Sequence, residues 1–330
     1  MNAHRRLGTD GPLVGPVGYG CMGFSQSFGP SGPRENAFPV IREAFDLGVT
    51  LFDTAESYGP DNHNEILVGE AVQGFRDSIT LATKFGIYRN NDGTMFVDSS
   101  PARMRTALEN SLRNLRTDHI DLWYQHRVDP STPIEEVAGT VAGFVQEGKV
   151  IHFGMSEASA ATVRRAHAVH PVRAVQNEYS LWFRDVEDDL LPACEELGIG
   201  FVAFSPLGRG FLTGTISKDT VFDPTDFRNA LPRFAEEARA ANEALIELLR
   251  GIAGSLGATP GQVALAWLLT RKPWIVPIPG TRNSGRLREN MGAVALRLSP
   301  ENLSAIESAW QSVQVVGERY PEAMKRMSGL

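Results

Sequence analysis

Cysteine is scarce in this chain: its 330 residues include only Cys21 and Cys194. Two cysteines cannot build a disulfide framework, so a reducing compartment, the cytoplasm, is the expectation. No run of about 18 apolar residues occurs, which leaves no segment for a membrane-spanning helix. The opening stretch, MNAHRRLGTDGPLVG, has basic residues but no apolar stretch behind them, unlike a secretory signal. Positive charge is not in excess either. Lys and Arg number 32 against 39 Asp and Glu, a formal net charge of −7, and a nucleic-acid binder would show a basic face. Neither HxH nor HExxH is found. A metal-dependent barrel hydrolase built on Asp53, His126 and His63 therefore lacks the convergent ligand set such a site needs.

What remains is ordinary globular composition, 42% hydrophobic and 22% charged. Short apolar runs alternate with helical patterns. The runs are Val17–Cys21, Thr50–Asp53, Ile79–Lys84, Ile120–His126, Val150–Ser156, Val172–Asn177, Gly200–Ser205 and Ile275–Gly280. Most are continuous rather than alternating, as strands covered on both faces should be. Helix starts are marked between them. Ser100-Pro101 precedes a stripe of Met104, Leu108, Leu112 and Leu115. Thr132-Pro133-Ile134-Glu135 and Thr259-Pro260-Gly261-Gln262 have the spacing of capping boxes. Ser299-Pro300 opens a last helix with Leu303, Ile306 and Trp310. Eight strand-then-helix units predict a closed parallel (β/α)8 TIM barrel, with an open doubly wound sheet as the alternative. No composition break divides the chain, so one domain over 1–330 is expected. Its longest irregular stretch, Leu207–Pro232, follows the seventh strand.

Barrel enzymes place their chemistry at the C-terminal strand ends. Those ends carry Asp53, Lys84, His126, Ser156, Gln176, Ser205 and Thr281, with Tyr58 in the loop after the second strand. Each has a bland reading as a cap, a surface ion pair or a structural histidine; their joint occurrence is the signal. Asp53, Tyr58, Lys84 and His126 suit carbonyl reduction. A tyrosine can protonate the carbonyl oxygen while hydride reaches the carbon. Its unperturbed pKa is about 10, and the Lys84 ammonium, held by Asp53, is expected to make it a better acid. His126 is placed to hydrogen-bond the oxygen as charge develops.

Several motifs resemble the aldo-keto reductases, in the family's order. Asp53-Thr54-Ala55-Glu56-Ser57-Tyr58-Gly59, followed by Asn64-Glu65 and Gly69-Glu70, is similar to the second-strand signature. Thr83-Lys84-Phe85-Gly86 and Tyr124-Gln125-His126-Arg127 resemble the lysine and histidine strands. Val17-Gly18-Tyr19-Gly20-Cys21-Met22-Gly23 is close to the first strand of a bacterial and plant subgroup. The likeness runs from Arg6-Leu7-Gly8 to about Asn290. It implies an NADPH-dependent reductase of aldehydes or ketones, with Asp53, Tyr58, Lys84 and His126 as the catalytic tetrad.

Gly18 to Gly23 also matches GxGxxG, but the dinucleotide fingerprint must open a helix directly after a strand. Here Phe24–Pro33, rich in Ser, Gly and Pro, intervenes. The resemblance implies a different, extended cofactor site. Gly20, Cys21, Met22 and Asp53 line its inner end. Ser156 and Gln176 match the positions that hold the nicotinamide carboxamide, and Phe204 the ring that stacks on it. Position 157 is Glu where the family often has Asn. Ser205-Pro206-Leu207-Gly208-Arg209-Gly210 resembles the pyrophosphate loop, whose alternative reading is a Pro/Gly turn with a solvated arginine. Gly280, Thr281, Arg282, Arg286, Glu289 and Asn290 match the adenosine-phosphate segment. Arg282 and Arg286 suit a 2′-phosphate, whereas Arg288 reads as a solvated residue.

Phe24, Tyr88, Trp123, Trp182 and Phe183 lie at or beyond strand ends and are candidates for an apolar pocket, which predicts a hydrophobic or aromatic carbonyl substrate. Trp123 reads equally as core. No metal is implied. A cofactor-binding, channel-associated regulatory subunit is the alternative within the same family.

Overall fold

The computed structural model describes residues 4–90, 94–312 and 315–329. Its centre is an eight-stranded parallel sheet: β3 (Tyr19–Gly20), β4 (Leu51–Asp53), β5 (Thr80–Phe85), β8 (Ile120–Gln125), β9 (Val150–Ser156), β10 (Val172–Glu178), β11 (Gly200–Phe204) and β12 (Ile275–Pro277). Two short antiparallel hairpins accompany it. One, β1 (Arg5–Arg6) with β2 (Leu13–Val14), precedes the sheet; the other, β6 (Ile87–Arg89) with β7 (Met95–Val97), follows β5. Neither hairpin has a counterpart in the predicted elements, which begin at Val17.

The sheet curls until its first and last strands meet. Gly18 N donates to the Pro277 carbonyl at 2.9 Å, and Gly20 N to that of Pro279 at 3.4 Å. A side chain would obstruct this seam: a Cβ on Gly280 would lie 2.5 Å from the Gly20 carbonyl oxygen. The result is the expected (β/α)8 barrel rather than an open sheet.

Strand side chains alternate between the barrel interior and the surrounding helices. Leu51, Ala82, Leu122, Ala174, Val202 and Val276 pack together inside, plugged from below by Leu7 and Val14 of the first hairpin. Stepping two residues toward each C-terminus gives Asp53, Lys84, Tyr124, Gln176, Phe204 and Ile278. The same period that fills the core therefore delivers the polar residues to its upper layer. The opposite faces of the strands join the helices in the larger outer core.

The helices begin close to where the sequence marks them. Those that bear on the site are α1 (Ala37–Asp46), α2 (His63–Ala71), α3 (Pro101–Leu115), α4 (Ile134–Gln146), α5 (Ala160–Val169), α6 (Leu190–Leu197), α7 (Glu236–Ala241), α8 (Glu243–Leu256), α9 (Pro260–Arg271), α10 (Ser284–Gly292), α11 (Pro300–Ser312) and α12 (Glu322–Lys325). The capping box of Thr259 and Gln262 forms. The one expected at Thr132 does not. Asp129 captures the Thr132 hydroxyl at 3.0 Å, and α4 starts at Ile134 without a side-chain cap. The stretch 207–232 has short 3₁₀ turns at each end and is irregular over 214–226, and Phe227 N donates to the Ser27 carbonyl at 2.9 Å, joining two loops at the mouth. Beyond α11 the chain folds back over the strand ends, where Gly329 N donates to the Glu157 carbonyl at 2.8 Å.

Candidate active site

Asp53 ends β4, Lys84 lies in β5, and His126 follows β8; all three are buried. Tyr58 sits in a turn braced by Asn64. The Asn64 amide accepts from the Thr54 hydroxyl at 2.6 Å and donates to the Cys21 carbonyl at 2.9 Å and the Ser25 hydroxyl at 2.7 Å. This brace fixes the turn rather than leaving Tyr58 on a free loop. The Lys84 ammonium donates to Asp53 Oδ1 at 2.5 Å, the Thr54 carbonyl at 2.8 Å and the Tyr58 hydroxyl at 3.0 Å. The Tyr58 and His126 rings meet edge-on, 5.6 Å between centroids. The structure thus brings the four residues together at one point of the barrel mouth.

Burial decides the electrostatics. It opposes the Lys84 charge, but Asp53 and the Tyr58 hydroxyl outweigh it, and the ammonium stays above its ordinary pKa. Enclosure pushes the Tyr58 phenol up; Lys84 pulls it back and Asp53 adds to the rise, leaving it above the ordinary value. Lys84 does pull the phenol toward acidity, as expected, but loss of water outweighs the ammonium, so the net shift is upward. His126 is driven well below the usual histidine range by burial, with Arg127 and Lys84 adding to the effect. Its ring is neutral at physiological pH. Ser57 Oγ lies 3.3 Å from His126 Nδ1, a partner the sequence did not single out.

Around this point lie the residues matched to a cofactor. Gly20 is at the seam, Cys21 is buried with its N–H on the Asp53 carbonyl at 2.8 Å, and Met22 begins a 3₁₀ turn. Ser156 is at the end of β9. The Gln176 amide donates to Asp53 Oδ2 at 2.7 Å, so Gln176 also orients the tetrad. Phe204 is half-buried at the end of β11. In the turn that follows, Ser205, Gly208, Arg209 and Gly210 all have positive φ, from 48° to 96°; Pro206 and Leu207 lie between them. Such a turn aims peptide N–H groups in unusual directions. Arg209 is neither solvated nor free for a phosphate. Its guanidinium is buried on Glu178, 2.8 Å away, and on the Tyr320 hydroxyl at 3.1 Å. Any anion binding by this loop therefore rests on its backbone.

At β12 and α10, the Gly280 backbone crosses Gly20, and the Thr281 carbonyl accepts from the Tyr19 hydroxyl. Asn283 caps α10. Arg282 donates to the carbonyls of Pro30 at 2.5 Å and Phe28 at 2.7 Å and makes no ion pair among the described residues. Arg286 is exposed at the first turn. Glu289 accepts from the Thr259 hydroxyl at 2.7 Å and so ties α10 to α9, beside the buried Asn290. Arg288 pairs with Glu43 at the surface.

Two of the pocket candidates are core. Trp123 stacks on Phe85 at 4.0 Å and Trp182 on Phe211 at 4.2 Å, both with at most 1% exposure. Phe24 is buried against Tyr19. Only Tyr88 and Phe183 keep partial exposure. Two arginines went unassigned in the sequence. Arg319 reaches from the C-terminal segment to Glu157 at 2.7 Å and Glu178 at 2.8 Å. The glutamate standing where the family often has Asn thus has a cationic partner 162 residues away, a pairing no local pattern announces. Arg127 sits beside His126, and its only sequence signal is a charge adjoining a strand-end histidine.

The sequence pattern of the Aldo/keto reductase family matches residues 16–311. "Probable aldo-keto reductase 1" of Glycine max is 45% identical over 325 residues, covering 98% of this chain and 93% of that protein. A glycerol dehydrogenase structure from Gluconobacter oxydans superposes with a TM-score of 0.87 at 29% identity, covering 96% of this chain and 97% of the other. An aldo/keto reductase from Klebsiella pneumoniae, solved with NADP and acetate, gives 0.74 at 25% identity, over 97% and 99%. With that match across the barrel, the chain belongs to the aldo/keto reductase family, an oxidoreductase family of carbonyl reduction.

Proposed function

We propose that the protein reduces an aldehyde or ketone to the alcohol, with NADPH as hydride source and Tyr58 as proton donor. The observation that carries this reading is the Asp53–Lys84–Tyr58 chain, 2.5 and 3.0 Å per link, beside His126 at the barrel mouth. The mouth fits a dinucleotide. Side chains are missing at the Gly20–Gly280 crossing, and the 205–210 turn has its run of positive φ. Arg282 and Arg286 stand at the α10 N-terminus without carboxylate partners among the described residues, unlike Arg209 and Arg288. Ser156 and Gln176 would hold the carboxamide and Phe204 would flank the ring. Arg282, on leaving its carbonyl partners, and Arg286 would take the 2′-phosphate, with the helix start adding N–H donors. The Klebsiella relative was solved with NADP, which supports the same cofactor here.

When bound, NADPH supplies a hydride to the carbonyl carbon. The raised pKa of Tyr58 keeps the phenol protonated until it is needed. Lys84, held by Asp53, then stabilises the phenolate as the proton leaves Oη for the carbonyl oxygen. Ser57 Oγ lies 3.3 Å from Nδ1; in the tautomer in which it donates there, neutral His126 would carry its proton on Nε2 and hydrogen-bond that oxygen.

Loss of NADPH absorbance across an aldehyde and ketone panel tests the reading. Tyr58→Phe is expected to reduce kcat by roughly 100-fold or more, the scale of a lost proton donor, while NADPH affinity holds. A variant keeping most of its activity refutes Tyr58 as donor. Arg282→Ala is expected to weaken NADPH binding by about tenfold or more and NADH binding far less. Equal weakening of both cofactors would remove the 2′-phosphate assignment.

A further inference from the structure

Arg127 is a cation at the barrel mouth with no carboxylate within ion-pair distance among the described residues. Its Nη1 donates to the His126 carbonyl at 2.6 Å and reaches the Ser156 hydroxyl at 3.5 Å; it makes no other hydrogen bond and no ion pair among the described residues. The side chain is half-buried, so the guanidinium is pinned on a ledge between the ends of β8 and β9. It bears on the reacting groups as well. Arg127 is among the charges that hold His126 neutral, and among those that pull the Tyr58 phenol down against burial.

The neighbouring charges are already matched. Lys84 is balanced by Asp53, and Arg319 and Arg209 by Glu157 and Glu178. Glu157 feels Arg127, but its carboxylate is held by Arg319 at 2.7 Å. Arg127 is thus a cation at this ledge that makes no ion pair among the described residues. A partly exposed guanidinium with no ion-pair partner is open to an incoming anion. Its planar fork matches a carboxylate in a two-point contact.

The geometry points to Arg127 as the residue that selects carbonyl substrates bearing a carboxylate, which it binds while the carbonyl oxygen lies between Tyr58 and His126. This inference rests on the carbonyl-reductase reading and deepens it by naming a substrate class.

The test compares matched substrates, 4-oxobutanoate with butanal and 4-carboxybenzaldehyde with benzaldehyde, for the natural protein, Arg127→Gln and Arg127→Lys. The natural protein is expected to favour the carboxylate member of each pair in kcat/KM. Arg127→Gln is expected to lower that preference by about 10- to 100-fold, the range for a hydrogen bond to a charged group. Arg127→Lys, which keeps charge but not the fork, should retain part of it. NADPH affinity, read by fluorescence titration, is expected to stay within about threefold in both variants, because the loss is assigned to substrate and not to cofactor. A natural protein without preference, a preference unchanged in Arg127→Gln, or a loss confined to NADPH affinity overturns the inference. Calorimetric titration of butanoate into the protein saturated with NADP+ separates this from the function itself. Arg127-dependent binding with no reduction of any aldehyde supports the carboxylate site and refutes the reductase reading. Binding indifferent to Arg127 refutes the site.

Discussion

Glu56, two residues before the proposed proton donor, is buried with its Oε2 atom lacking a hydrogen-bond partner. Burial, reinforced by Glu65, pushes its carboxyl pKa up to about 8 against the pull of Arg103 and the Tyr88 hydroxyl. The folded state therefore holds a proton that the unfolded chain releases near the ordinary glutamate value. Because the native state binds more protons, this group lowers stability as pH rises from about 4.5 through about 8. Glu56→Gln mimics the protonated form. The variant should match the natural protein in Tm near pH 5 and exceed it near pH 9, by an amount on the order of 2–4 kcal/mol at one pKa unit per 1.36 kcal/mol. Thermal unfolding across that range checks it, and parallel Tm–pH curves would place the titration elsewhere. The same competition, burial against a nearby cation, sets the Tyr58 phenol high, whereas at His126 burial and the cations Arg127 and Lys84 act together to keep the ring neutral. Both outcomes suit a donor and a hydrogen-bonding partner that start the reaction protonated and uncharged respectively.

Among the elements, the segment after α11 is tied to the strand ends by charge. Arg319 inserts between Glu157 and Glu178. Burial works against both carboxylates, and the arginines reverse it: Glu157 falls below the ordinary range and Glu178 is held at about 2. Glu178 also keeps Arg209, whereas Glu157 has Arg319 as its single ion-pair partner among the described residues. Removing one member of a buried pair strands the other. Arg319→Ala is therefore expected to destabilise the protein by roughly 3 kcal/mol, about 5 °C or more in Tm, and to expose the C-terminal segment to protease. Adding Glu157→Gln should restore part of that loss, because no buried charge is then left unpaired. A double variant no better than the single one would show that packing, not charge, holds the segment.

For the whole molecule, closure of the barrel depends on two backbones passing without side chains. A Cβ on Gly20 would lie 2.9 Å from the Ile278 carbonyl oxygen, and one on Gly280 2.5 Å from that of Gly20. Gly280→Ala must part β3 from β12 and strain the hydrogen bonds of Gly18 and Gly20 across the seam. Overpacking of this kind costs about 1–3 kcal/mol. Faster hydrogen exchange is expected at the amides of Gly18 and Gly20, with loss of cofactor affinity because the seam borders the proposed site. Unchanged exchange there would mean the seam is not under this constraint.

Much of this was legible in the sequence because the barrel is made of short-period information. Continuous apolar runs predict buried parallel strands, and Val150–Ser156 is found with those bounds. A polar residue ending such a run must point into the mouth or away from it, and Asp53, Lys84, His126 and Gln176 declare themselves that way. The Thr259 capping box is equally local and forms as read. The eight strands of the barrel, its closure and the four residues that meet at its mouth were thus readable from local pattern and resemblance. Tertiary structure decided what depends on distant partners and on water. It turned Trp123 and Trp182 into core, gave Arg209 to Glu178 and Glu157 to Arg319, and raised the Tyr58 phenol where a neighbouring lysine alone predicts the reverse. It also left Arg127 unpaired beside His126. Periodicity states which face a side chain takes; burial and counter-charge depend on which chain segments, far apart in sequence, enclose it.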